Sequence, residues 1–82
     1  MKLYWITQNT HCGYDTYDSA VVAAPSAKAA CLIHPGGYLD WDGKEKGMFG
    51  VWSNAADVEA EYIGKAKPGT KAGVICASFN AG

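Results

Sequence analysis

Two histidines and three cysteines carry the most reactive side chains of this chain, and their spacing bounds what they can do. His11 and Cys12 are adjacent, while Cys31 and His34 stand one helical turn apart and can share a helix face. The ligand knuckles of structural zinc sites are absent, so no metal is expected. A cysteine nucleophile needs a setting that favours the thiolate and a base within hydrogen-bond reach. Cys12, with His11 or His34 as its base, is the pairing a small hydrolase would use, but no third residue is placed to orient the base. Ser19, Ser26, Ser53 and Ser78 lie in no nucleophile-elbow pattern. The glycines form neither a phosphate loop nor a dinucleotide fingerprint. The acid pairs Asp15/Asp18, Asp40/Asp42 and Glu59/Glu61 read as solvated carboxylates of turns and strands. These residues predict no catalytic set and no cofactor.

Binding chemistry is better represented. Aromatic residues make up 12% of the chain, and Tyr14, Tyr38, Trp41 and Trp52 fall in turn or insert segments. Exposed rings in such segments offer π-faces on which a planar base can stack. Trp41, beside Asp40, Asp42 and Gly43, is the first candidate. Tyr14 is the second, because Gly13 leaves the backbone next to it open to close approach. Asp15 and Asp18 are suited to accept from a ribose hydroxyl or a base amine. Lys65 and Lys67, with Lys71 nearby, are suited to neutralise a phosphate. All seven cations are lysine, set against eight acids, for a net charge of −1. Without arginine's bidentate fork or a basic excess, the chain is poorly equipped to grip a nucleic-acid backbone.

The elements that must position these residues follow from pattern. Residues 2–8 (KLYWITQ) and 16–24 (TYDSAVVAA) are rich in β-branched and aromatic residues and predict two strands of a hairpin. Ser26 is an N-cap for a helix of about two turns over residues 27–33, ended by Pro35 and Gly36. Residues 34–56 form an irregular, aromatic-rich insert. Within it, Asp42-Gly43 suits a tight turn, residues 48–52 (MFGVW) a short edge strand and residues 53–57 a helical turn. Residues 58–66 predict a third strand, Pro68-Gly69 the centre of a type II turn, and residues 73–79 (GVICASF) a fourth strand with Cys76 in the core. The expected fold is α+β: one domain over residues 1–82, in the order ββα-insert-ββ. Its antiparallel sheet of four to five strands carries one short helix packed on a face.

Strands one, two and four are apolar on both faces, whereas an antiparallel sheet with one wet face alternates. One short helix covers part of one face. The other face is therefore expected to meet the aromatic insert or a second copy, and a two-fold dimer built on an apolar sheet face is predicted. Glu59 and Glu61 make strand three the wetter one, near an edge. The start of the chain has no long apolar stretch before a cleavage site, and no segment is long enough to span a membrane. With three scattered cysteines and no Cys-x-x-Cys, reduced thiols and a cytoplasmic location are expected.

Residues 13–24 (GYDTYDSAVVAA), 73–82 (GVICASFNAG) and the opening 2–6 (KLYWI) resemble a group of small single-domain bacteriophage accessory proteins. Genes of that group often lie among anti-defence functions. The resemblance implies a non-enzymatic binding protein that antagonises bacterial host defence by sequestering a nucleotide-like immune signal. It equally admits an anti-CRISPR-type inhibitor that binds a host defence protein.

Overall fold

The computed structural model describes residues 1–9, 16–37, 41–44 and 52–80. Strands β1 (Lys2–Thr7) and β2 (Thr16–Ala24) pair antiparallel, with Tyr4 opposite Val22 and Ile6 opposite Ala20. Helix α1 (Ala27–Cys31) follows, then a 3₁₀ turn over Ala55–Asp57, β3 (Glu59–Lys65) and β4 (Gly73–Asn80). The sheet has four strands in the order β3-β1-β2-β4, all neighbours antiparallel. The hairpin strands thus form the centre and the two later strands the edges. The α+β class and the single short helix match the reading of the sequence.

Helix α1 starts where Ser26 Oγ accepts from the Ala29 N–H at 3.2 Å. It is shorter than its sequence suggests. The Leu32 and Ile33 amides bond to Ala29 and Ala30 oxygens, three residues back, and this tightening ends the helix at Cys31. His34 therefore lies beyond the helix, and the helical repeat does not relate it to Cys31.

Alternation along the strands sorts one face inward. Tyr4, Ile6, Ala20, Val22 and Ala24 are buried against Ala30 of α1, and Trp52 and Val58 join the same cluster. Burying each branched side chain here stabilises the fold by roughly 1.5–3 kcal/mol. Trp52 therefore supplements the helix on the face the helix already covers, instead of covering the other one as the sequence reading allowed. The opposite face is open around Trp5, which is 45% exposed; Leu3 and Val21 beside it are half-buried, and Ala23 on the same face is fully buried.

Strand β4 corrects a second expectation. Its apolar run reads as core, yet Ile75 is 52% exposed, Phe79 46%, and Cys76 is exposed as well. β4 is the edge away from the helix: α1 packs mainly over β1, β2 and β3. The wet strand three does lie at an edge, as Glu59 and Glu61 suggest. The segment read as a short strand over residues 48–52 lies, up to residue 51, outside the described residues.

Candidate functional site

Lysines gather at one end of the sheet. Lys2 opens β1 and Lys65 closes β3, and the antiparallel register sets the two directly opposite each other. Like charges so placed repel, and an anion between them relieves the repulsion. Residues 66–72 must then carry the chain from one edge of the sheet to the other. Three strand spacings are about 14 Å, well within the reach of seven residues. The crossover runs past the start of β1, where the Ala66 amide donates to the Met1 carbonyl at 3.0 Å. It turns at Pro68-Gly69: Thr70 N–H donates to Lys67 O at 3.0 Å, and Gly69 has φ +89°. That positive φ at the third position is what a type II turn requires. Lys67 and Lys71 are exposed on this crossover. Four of the seven lysines thus belong to one end of the sheet.

A half-open depression of about 210 Å³ lies beside the start of β4, at the sheet edge opposite β3. Leu32, Ile33, His34 and Gly37, after α1, form one wall; Ala72, Gly73 and Val74, at the start of β4, form the other. Gly73 stands opposite Ala23, one register step from the Lys2–Ala24 pair. The lining is mainly apolar. The space is smaller than the roughly 300–1,000 Å³ of a typical ligand pocket, and suits one planar ring rather than a whole dinucleotide.

His34 is the polar group of this wall, and it is buried. Its Nδ1 accepts from the Gly36 N–H at 2.9 Å, which places the proton of the neutral ring on Nε2. Burial lowers its pKa from the usual value by disfavouring the charged form. Trp41 packs edge-to-face on this imidazole at 5.2 Å between centroids and 84° between planes. Tyr17 also meets it edge-to-face at 6.2 Å and 83°, and Tyr17 in turn contacts Phe79 at 4.8 Å. The Trp41 Nε1–H donates to Lys44 O at 2.8 Å, and Asp42 Oδ1 accepts from Lys44 N at 3.1 Å. The Asp42-Gly43 turn therefore holds the Trp41 indole, through a Lys44 backbone that Asp42 itself fixes.

The residues singled out from sequence separate into three groups. Lys65 and Lys67 belong to the lysine end, and Trp41 reaches the depression through His34. Asp18 is exposed at a bulge near the far end of β2, about 20 Å of strand away from the lysines, and does not join them. Trp52 is 2% exposed and packs in the core, so its ring has no open face for a base; among the described residues its Nε1 has no hydrogen-bond partner. Tyr14, Asp15 and Tyr38, like His11 and Cys12, lie outside the described residues. Cys31 is half-buried, its thiol donates to Val58 O at 3.5 Å, and burial pushes its pKa up. Each of these opposes the thiolate a nucleophile requires. Sequence reasoning did not join His34, Gly37 and Val74 as walls of one depression, nor Lys2 with Lys65. Only the folded chain and the strand register do so.

Comparison with protein-family models, with curated proteins and with solved structures returned no match.

Proposed function

We propose that the protein is a non-enzymatic binding module that captures a small nucleotide-like ligand at the lysine end of its sheet. The carrying observation is an apolar depression beside a neutral imidazole at the start of β4, in a chain whose Lys2, Lys65, Lys67 and Lys71 belong to one end of the sheet. A base or similar planar group enters between His34 and Val74, and phosphate meets the lysines. Lysine serves here as a point charge where arginine is lacking. The resemblance of the chain ends to bacteriophage accessory proteins supports placing this capture in the cytoplasm of an infected bacterium. There it would withdraw a nucleotide immune signal from host defence.

A thermal-shift screen against cyclic dinucleotides and ADP-ribose tests the reading. A ligand at 100 times its dissociation constant stabilises the fold by about 2.7 kcal/mol, roughly 10–20 °C for a domain of this size. The Lys65→Ala/Lys67→Ala double variant should lose most of that shift. No shift with any nucleotide, together with stoichiometric binding of a purified host effector protein, would replace this reading with the protein-inhibitor one.

A further inference from the structure

We infer that the lysine end of the sheet is a docking surface for an anionic lipid bilayer, against which the protein lies without crossing it. The inference does not rest on ligand capture in the depression, although Lys65 and Lys67 serve both.

Charge is segregated along the chain as well as along the strands. Residues 1–14, 19–39 and 62–82 contain no aspartate or glutamate, yet five of the seven lysines fall in them. Lys2 and Lys65 are register partners where β1 begins and β3 finishes. Helix α1 begins just after Ala24, which pairs with Lys2 from β2, and carries the exposed Lys28. The crossover adds the exposed Lys67 and Lys71. Glu61, the nearest acid along β3, pairs with Trp5 and so lies on the other face of the sheet from Lys2 and Lys65.

Exposed apolar side chains stand among these cations. Strand β3 carries one extra residue against β1: Tyr4 pairs with Tyr62 and Leu3 with Gly64, which leaves Ile63 as the bulged residue. Tyr62 and Lys65 therefore share a face despite their odd spacing. Tyr62 is 52% exposed, Ile63 49%, and Met1, next to Lys2, 51%. A tyrosine and aliphatic chains flanked by lysines suit the headgroup level of a bilayer, where rings and aliphatic groups meet lipid and ammonium groups meet phosphate. The lysines extend from the β3 edge across β1 into the crossover, and a lipid surface engages charges so spread all at once. Lysine's point charge suits such a field of headgroups, which asks for no fixed fork geometry. A bilayer also takes up Met1, Tyr62 and Ile63, which an acidic chain offering charge alone does not.

Vesicle flotation gives the test, with circular dichroism to verify the fold of each variant. Wild type should float with vesicles of phosphatidylcholine mixed with phosphatidylglycerol at low salt, and should not float with phosphatidylcholine alone. Each lysine near an anionic leaflet is worth about fivefold in partition, so Lys65→Ala/Lys67→Ala should weaken binding about thirtyfold. Tyr62→Ser should weaken it at every salt concentration, since its share is apolar. Asp57→Lys added to Lys65→Glu restores the net charge at the wrong end and should not restore binding. Absence of flotation with the anionic vesicles overturns the inference, as does equal flotation with neutral ones. Full rescue by Asp57→Lys would assign the attraction to net charge and overturn this placement. Binding of poly-glutamate by a protein that ignores both vesicles would give the lysine end to an acidic polypeptide instead. A melting shift with ADP-ribose bears on the depression alone and leaves each of these outcomes as it stands.

Discussion

His34 links packing to protonation. Its ring makes edge-to-face contacts with Trp41 and Tyr17, and its Nδ1 is already an acceptor for the Gly36 amide. Burial lowers its folded-state pKa, so the unfolded chain binds the proton first as pH falls. The stability that depends on neutral His34 is therefore complete above the unfolded value of about 6.5 and is lost as pH falls from there through the lowered folded value. Urea midpoints measured between neutral and mildly acidic pH should fall more steeply for wild type than for His34→Gln. Parallel profiles would show that the imidazole does not titrate against folding. Gly43 gives a second prediction. It is buried at φ +83°, and a Cβ there would lie 2.9 Å from Leu32 Cδ2 and 3.2 Å from Ala55 Cβ. Left-handed backbone strain and overpacking together predict a loss of about 2–4 kcal/mol for Gly43→Ala in equilibrium unfolding. A change well below 1 kcal/mol would mean that the turn simply moves away from the helix end.

At the scale of elements, the central hairpin and the helix cap hold the inner face together. Ile6 is fully buried between β2, β3 and the core cluster, so Ile6→Ala should cost about 2–5 kcal/mol. Ser26→Ala should cost about 1 kcal/mol through loss of the Ala29 cap bond. Thermal unfolding of both variants checks the ratio, and near-equal losses would contradict the burial difference between them. These elements were legible in the chain because local signals decide them: alternation for β1 and β2, the Ser26 cap for α1, Pro68-Gly69 for the crossover turn. Neighbour relations were not local. Nothing in GVICASFN distinguishes an edge from a central strand, since composition records hydrophobicity and not which strand stands outside. Hence Cys76 reads as core and is exposed. Trp52 reads as a surface ring for the converse reason: its flanks look loop-like, and only the packed helix side shows where the indole is buried.

The whole molecule is polarised along its strands. Lys2, Lys65, Lys67 and Lys71 belong to the end where β1 begins and β3 finishes, while Glu59 and Asp57 belong to the end where β3 begins. A near-neutral net charge conceals this separation, which is why the charge balance argues against a long nucleic-acid backbone yet leaves room for a small anion. Binding driven by exposed lysines must weaken with added salt. Capture of ADP-ribose or a cyclic dinucleotide should therefore show a lower affinity at high than at low ionic strength.

The most direct measurement is an amide-resolved NMR titration of the labelled protein with ADP-ribose and with a cyclic dinucleotide. The account predicts saturable shifts concentrated at Leu32, Ile33, His34, Gly37, Gly73 and Val74, with smaller ones at Lys65, Lys67 and Lys71, and none at Asp18. Absence of saturable shifts with either nucleotide, or shifts centred on the open face around Trp5 and Val21, would contradict it.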